Sequence, residues 1–460
     1  MKKIISALAF FICIGFSFAE YNKAGLPDSA EIRRRVVDSW LTAGIDRLRT
    51  KNPELHENDA REIFQIRMEE GVDNVSIIVA PQTFLDVDVV RDGSNSTLRM
   101  AVYPEGNPGS WILQRDKKTG RGVKINWYFN SDAAVYVQFY PEGNKTYADM
   151  IVYNSYLARS IPVGVPFAKL YTSSFGDIQR WTEKTLPWEK VKVILGQYLD
   201  SIHMVNVIRE KLPLIDYAEN ACYNENGELY SLLTNTRFTV KDENGDDVFP
   251  QNDGRLTLSG AGFAKWIIDG LVRPLTGKGT DIASLEQPTV EFDPVGKNGI
   301  ISQENSLTFH LDWVRNLSAY VMNKKNRHNL SYKECGVDVN IRPFFSEIQN
   351  GKNVNSSGYI ADTGYEIRRI KSLLYVLAAT EPSWFYLGAV KRFSKIKRDE
   401  FVFDTTVVLF PYFDDTGRFG CVIFDHNNEV SLDEFILDNS DCYIHLERVK
   451  ATEIFFPDNR

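Results

Sequence analysis

A thiol or hydroxyl nucleophile, an imidazole and a carboxylate make up the commonest hydrolytic machinery, so these residue types come first. The chain carries six histidines (His56, His203, His310, His328, His426 and His445) and five cysteines (Cys13, Cys222, Cys335, Cys421 and Cys442). It contains no HExxH, Walker loop, GxGxxG or GxSxG, which removes the motif-borne routes to zinc hydrolysis, phosphate binding and serine hydrolysis. The histidines do not recur at ligand spacing and no CxxC is present, so neither a metal nor a cofactor is expected. His426 follows Asp425 in what reads as a solvated turn. A thiolate–imidazole pair can be built only from separate segments, Cys335 in Lys-Glu-Cys-Gly and His310 in Phe-His-Leu-Asp-Trp, and only if the fold joins them. Otherwise Cys335 reads as a buried small hydrophobe, and so does Cys222. Paired acids for glycoside hydrolysis are conceivable in Asp312 and Asp414-Asp415, but Asp-Asp-Thr-Gly has the composition of a hairpin turn.

These residues must be positioned by elements that the periodicity outlines. Asp28-Ser29 can cap a helix carrying Ile32, Val36, Val37, Trp40, Leu41 and Ile45, and a second helix is expected to carry Ile63, Ile66 and Met68. From residue 74 seven short runs alternate: 74–80, 83–91, 97–103, 110–115, 121–129, 133–140 and 147–154. Asp-Gly-Ser-Asn, Lys-Lys-Thr-Gly and two copies of Tyr-Pro-Glu-Gly-Asn (103–107 and 140–144) separate them. That spacing predicts an antiparallel sandwich or barrel with a repeated hairpin turn. Its aromatics Trp111, Trp127, Tyr128, Tyr136 and Tyr140 read as core, with sugar stacking as the alternative. Residues 175–212 turn helical, 222–257 read as strands and loops, and 262–275 and 365–379 as amphipathic helices. Apolar alternation at 385–390, 401–410, 417–425 and 443–449 closes the chain as an α+β region.

One stretch carries more information. Leu256-Thr-Leu-Ser-Gly-Ala-Gly-Phe-Ala-Lys-Trp runs from a strand into a helix, and Asp404-Thr-Thr-Val-Val-Leu-Phe-Pro runs into Gly417-Arg-Phe-Gly-Cys-Val-Ile-Phe. Together they resemble the NlpC/P60 branch of the papain-like cysteine peptidases over residues ~250–450. In that family a helix begins at a catalytic Cys, and a His opens the facing strand. The helix N-terminus and the imidazole lower the thiol pKa. Here Gly260 stands in the place of the Cys, and Thr405 or Thr406 in the place of the His. The resemblance therefore implies a papain-like domain without a catalytic pair, a pseudoenzyme whose groove holds peptidoglycan fragments, a peptide or a protein partner. Ser259, Phe263 and Trp266 would line that groove, with Ser259 also suited to cap the helix.

The N-terminus reads as an export segment. Lys2 and Lys3 precede an apolar run from Ile4 to Phe18, and Ser17-Phe-Ala19 supplies small residues before Glu20. This is the pattern of a signal peptide cleaved after Ala19, and its run of about 15 residues is short of a membrane span. Export permits disulfides, and Cys421 with Cys442 could pair across neighbouring strands. The 460 residues carry 53 basic and 61 acidic groups, a net charge of −8, which becomes −10 once Lys2 and Lys3 are removed. Such a balance gives nucleic acid no basic face to bind. The expected organisation is a signal peptide (1–19), N-terminal helices (20–72), an antiparallel β-rich domain (73–172), a helical connector (173–215) and an NlpC/P60-like α+β domain (216–460). The expected protein is a multidomain α+β component of a bacterial envelope, periplasmic or secreted, with no membrane span after cleavage. Two alternatives remain: an active thiol amidase using Cys335 with His310, and glycan binding by the β-rich module.

Overall fold

The computed structural model describes residues 25–91, 94–250, 254–290, 307–341, 346–349, 352–355, 358–394 and 401–457. The expected signal peptide lies outside the described residues. The chain divides into two compact units, Met1–Trp188 and Glu189–Arg460. The division falls inside the expected helical connector, which is broken into Phe175–Thr182, a 3-10 turn at Trp188–Lys190 and Leu199–Lys211. Pro187 and Gly196 interrupt the run.

The first unit is β-rich, as its alternation predicts. Its strands are β1 (Glu54–Glu57), β2 (Ile63–Glu70), β3 (Asn74–Pro81), β4 (Thr83–Arg91), β5 (Ser94–Val102), β6 (Trp111–Asp116), β7 (Gly122–Tyr128), β8 (Val135–Glu142), β9 (Lys145–Val152) and β10 (Ser155–Pro162). Eight of them form one antiparallel meander, β1-β2-β3-β6-β7-β8-β9-β10, rather than two facing sheets, and β4 with β5 makes a separate hairpin. The helix expected over Ile63–Met68 is instead β2. Phe64 and Ile66 are buried and alternate with the less buried Gln65 and Arg67, a period of two. The chain before it does turn helical, in short pieces at Ala30–Arg35, Val37–Leu41 and Ile45–Arg49. Tyr153 and Asn154, at φ 45° and 62°, form a tight turn that leads β9 back into β10. The two pentapeptide copies part company. Residues 140–144 end β8 and supply the Gly143-Asn144 turn into β9, with Gly143 at φ 59°. Residues 103–107 lie in the loop before β6, where Gly106 sits so close to Ala133 that a Cβ would come within 2.5 Å of its methyl.

Alternation sends Trp111 and Trp127 to one face of the sheet, and both are fully buried. Between them lies Arg33, also fully buried, its guanidinium carbon 4.7 Å from the Trp111 ring and 4.9 Å from Trp127. Its donors are all used: Nε to Ser29 Oγ (3.0 Å), Nη1 to the Leu170 and Tyr171 carbonyls (3.2 and 2.7 Å) and Nη2 to the Ser173 carbonyl (2.7 Å). Asp28 adds an ion pair at 3.5 Å and also accepts from Ala30 N and Phe175 N. Burial pulls the guanidinium down to about 9, so it remains charged at neutral pH. The planar fork of Arg33 satisfies these three carbonyls at once.

In the second unit six strands form an antiparallel sheet in the order β11-β16-β12-β13-β14-β15. These are β11 (Tyr365–Glu366), β12 (Trp384–Phe393), β13 (Phe401–Phe413), β14 (Phe419–Asp425), β15 (Asn428–Ser431) and β16 (Tyr443–Lys450). Helices Gly260–Thr276 and Phe309–Asn326 bury Phe263, Ile267, Leu271, Leu311 and Val314 against Phe385, Leu387, Val408, Phe410 and Phe424 of one sheet face. Helix Ile370–Thr380 covers the other face, where the Tyr375 ring meets Phe413 (5.0 Å) and Phe419 (5.6 Å). The unit is α+β, as the pattern of helices followed by strands predicts.

Replacing Arg33 by Met leaves the carbonyls of Leu170, Tyr171 and Ser173 unpaired. Urea unfolding of the full chain is expected to show a loss of roughly 3–5 kcal/mol from the first unit, as for breaking a buried ionic network. Arg33→Lys should recover only a minor part, because a single ammonium cannot reach all three carbonyls. Full recovery by Lys would refute the fork's role.

Candidate functional site

The site develops at the start of helix Gly260–Thr276. Ser259 caps it: Oγ accepts from Gly262 N (3.1 Å) and donates to the Ala221 carbonyl (3.0 Å), while Ser259 N reaches the same carbonyl at 2.8 Å. This approach depends on Gly262, where a Cβ would lie 2.2 Å from the Ala221 oxygen. Two positions earlier, a Cβ on Gly260 would sit 3.2 Å from the Thr406 carbonyl oxygen, 3.2 Å from His426 Cδ2 and 3.4 Å from His426 Nε2. The helix start therefore faces the strand bearing Thr405 and Thr406, with an imidazole beside it.

That imidazole comes from the two-residue turn His426-Asn427 joining β14 to β15. His426 adopts φ 58°, a region that costs a residue with a β-carbon energy glycine does not spend. Its Nδ1 is 2.6 Å from Asp425 Oδ1, its ring packs edge-on against Tyr217 at 4.8 Å, and the turn is tied down by Asn427 Nδ2 donating to the Ile215 carbonyl (3.0 Å). His426 and Asp425 are about one-third exposed and Tyr217 about half. Behind them, His310 Nδ1 lies 2.8 Å from Thr406 Oγ1. Burial, with the nearby His426 adding to it, lowers His310 to about 3 and keeps it neutral. Chemically the arrangement is a carboxylate-oriented imidazole aimed at a helix N-terminus, with no nucleophile between them.

The other expected residues take different places. Thr406 faces the helices and Thr405, next in an alternating strand, faces away. Ser259 acts as the cap, and Phe263 and Trp266 are core, 1% and 6% exposed. Trp266 borders a void of about 10 Å³, enough for one water, so these residues do not form an open groove. Cys335 and His310 are not brought together. The Cys335 thiol lies 3.6 Å from Asn323 Oδ1, near the far end of the helix that His310 begins, roughly 20 Å away at 1.5 Å per residue. Burial raises the Cys335 pKa, the opposite of activation. Cys222 is fully buried and pushed up to about 12. The four described cysteines are free thiols, and β12 and β13 stand between the strand of Cys421 and that following Cys442, which precludes their pairing.

Asp312 accepts from Thr289 and Thr308 at the helix start, and Asp414 accepts from Thr416 and Arg418 within its turn, so neither is an acid awaiting substrate. In the first unit Trp111 and Trp127 are core, while the tyrosine pairs Tyr128 with Tyr136 (5.2 Å) and Tyr140 with Tyr147 (6.0 Å) are partly open. A separate concavity of about 510 Å³ is lined by Arg209, Lys371, Tyr412, Phe419, Glu429 and Asp433, with ion pairs Arg209–Glu429 and Lys371–Asp433 across it. Among the described residues no helix is long and apolar enough to cross a membrane. His426 was legible in the sequence as a histidine in a turn after a strand. Its proximity to Gly260 was not, because 166 residues separate them and only the sheet register joins them.

Comparison with known proteins adds one finding. The family described as a domain of unknown function (DUF8515) matches residues 22–190. That span closely follows the first compact unit, which ends at Trp188. No curated protein and no solved structure matched the chain.

Two outcomes are expected here. Gly260→Cys places a thiol at the helix start beside His426, so alkylation at that position should proceed near pH 6–7, below the ordinary thiol value of about 8.5. Asp425→Asn or His426→Gln in the same background should move the profile back up, and an unshifted profile in all three would refute the geometry. The second concerns stability. His310 is neutral in the fold down to about 3, while the unfolded chain protonates it near 6.5. The unfolded state therefore binds more protons between those values, and stability falls as pH falls through that window. Urea midpoints measured from pH 7 to 4 should fall less steeply in His310→Gln. An identical slope would exclude His310 as a source.

Proposed function

We propose that the second unit is a papain-like domain that binds without cutting, and that the whole chain is an exported bacterial envelope protein holding cell-wall peptide or a protein partner. The observation that supports this reading is the meeting of Gly260 with Thr406 and His426. In a cysteine peptidase of the resembled branch, that spot needs a sulfur. Here an imidazole is oriented by a carboxylate toward a position that has no side chain. Glycine offers no nucleophile, and the threonine hydroxyl in the facing strand is engaged by a neutral His310.

Binding draws on what remains. The N-terminus of a 17-residue helix suits the carbonyl or carboxylate of a peptide. His426 and Asp425 supply a donor and an acceptor, and the half-exposed Tyr217 ring supplies an apolar wall. Export follows from the N-terminal pattern of Lys2, Lys3 and the apolar run before Ala19.

The test separates holding from cutting. Purified chain is incubated with insoluble peptidoglycan, the pellet is assayed for protein and the supernatant for released fragments. The expected result is retention without release, with retention falling several-fold in Tyr217→Ala and His426→Ala. Fragment release that a thiol reagent abolishes would establish a working amidase instead. Retention lost only on changing Tyr136 and Tyr140 would move the binding site to the β-rich unit.

A further inference from the structure

The edge of the six-stranded sheet carries an opening of its own. β14 pairs with β13 along its whole length, from Phe419 with Phe413 to Asp425 with Val407, but on its other side β15 reaches only Val422 to Asp425. Two constraints fix the ladder phase at the uncovered end. The two-residue turn His426-Asn427 makes Asp425 and Asn428 a hydrogen-bonded pair, so the N–H and C=O of Asp425, Ile423 and Cys421 all point away from β13. Cys421 also lies opposite Pro411, which has no N–H to give it. Both constraints turn the N–H and C=O of Cys421 outward from the sheet.

No strand meets them there. A longer β15 would set Leu432 opposite Cys421, but Ser431 accepts from Glu434 N (3.2 Å) and starts the helix Leu432–Asp438 instead. Among the described residues nothing bonds to the Cys421 N–H or C=O. Cys421 lines the concavity of about 510 Å³, a size that suits a bound segment. Its walls come from both faces of the sheet. On one side Tyr412 lies across Gly420, where a Cβ would come within 2.7 Å of the ring, and Arg209 reaches in from the helix Leu199–Lys211. On the other stand Leu432, Asp433 and Lys371, the last from the helix Ile370–Thr380. The ion pairs Arg209–Glu429 and Lys371–Asp433 are exposed, so they exchange for the charges of a ligand at little cost. Walls on both sides exclude the edge of another folded sheet and admit a single extended strand, which would lie about 4.8 Å from β14.

We propose that this opening is a strand-addition site that takes an extended segment of a partner protein. The segment continues the line of β15, antiparallel to β14, and one of its residues exchanges both hydrogen bonds with Cys421. The main chain supplies the affinity. The ligand therefore needs an N–H and a C=O at that residue, which excludes proline there. Its side chains alternate between the two walls, one meeting Tyr412 and Arg209 and the next Lys371 and Asp433. Sheets ordinarily guard an open edge. Here the guarding strand is four residues long and stops one pair short of Cys421. The site stands apart from the helix start at Gly260 and does not depend on it.

The test screens the full chain against a synthetic pool of random octapeptides and recovers those retained. They are expected to compete for one site, and N-methylation of the residue that pairs with Cys421 should weaken each at least about 10-fold. Cys421→Pro removes an N–H that the fold does not use, so the chain should still fold while peptide affinity drops at least about 10-fold. The same variant should leave retention on peptidoglycan unchanged, so this proposal and the reading of the Gly260 site fail separately. If Cys421→Pro does not fold, hydrogen exchange on the unmodified chain decides the matter. The Cys421 amide should exchange faster than that of Ile423 and slow when a retained peptide saturates the chain. A pool from which nothing is retained overturns the proposal. So do peptides that bind Cys421→Pro as tightly as the parent, or that leave exchange at Cys421 unchanged.

Discussion

Everything at the candidate site rests on a missing side chain at Gly262. The Ala221 carbonyl occupies the volume a Cβ would need, and this lets it accept from both the backbone and the hydroxyl of Ser259. That pair of bonds fixes where the helix begins. The start point sets Gly260 against the Thr406 carbonyl and determines which residues of the helix turn inward. Trp313 Nε1 then locks the second helix to the Ala261 carbonyl at 2.9 Å. Two glycines in one pentapeptide thus do separate work, one permitting a backbone contact and the other leaving a space beside an imidazole.

The polar residues of this unit divide by how their charges are met. Lys265 and Asp269 are buried one helical turn apart and bonded at 2.6 Å, with Thr280 completing the carboxylate's hydrogen bonds. That network is closed. Glu381 likewise takes Tyr386 and Arg448. The cluster at His445 and Glu447 is built from the same residue types at similar burial, and there Arg315 reaches Asp338, Asp362, His445 and Glu447 at once.

Much of the architecture was legible in the sequence where one periodicity held for long enough. The seven alternating runs of the first unit and the four at the end of the chain all became strands, because a half-buried sheet imposes period two on any sequence that forms it. Ile63–Glu70 was misread because its apolar residues fit either period over so short a stretch, and the pairing with β3 decides it. The strand Ser155–Pro162 was hidden by a turn of Tyr and Asn rather than glycine. Glycine at 260 and a cap at 259 could be read locally. The neighbours of Gly260 could not, since His426 arrives through sheet register and Thr406 through strand order. Phe263 and Trp266 show the reverse failure: residues near a motif were assigned to its surface, whereas helical phase turned them into the core. Cys335 and His310 failed for a matter of length, His310 lying at one end of the helix Phe309–Asn326 and the Cys335 thiol packing beside the other.

Arg33 joins residue 29 to residues 170–173, so the two ends of the first unit meet at one buried cation. A chain emerging from its N-terminus must therefore hold that arginine in reserve until some 140 further residues have followed. Until then Arg33 has none of the three carbonyls that hold it between Trp111 and Trp127. The unit closes late and as a whole. Loss of its last turn would open its first, and a truncation at either end should be felt at both.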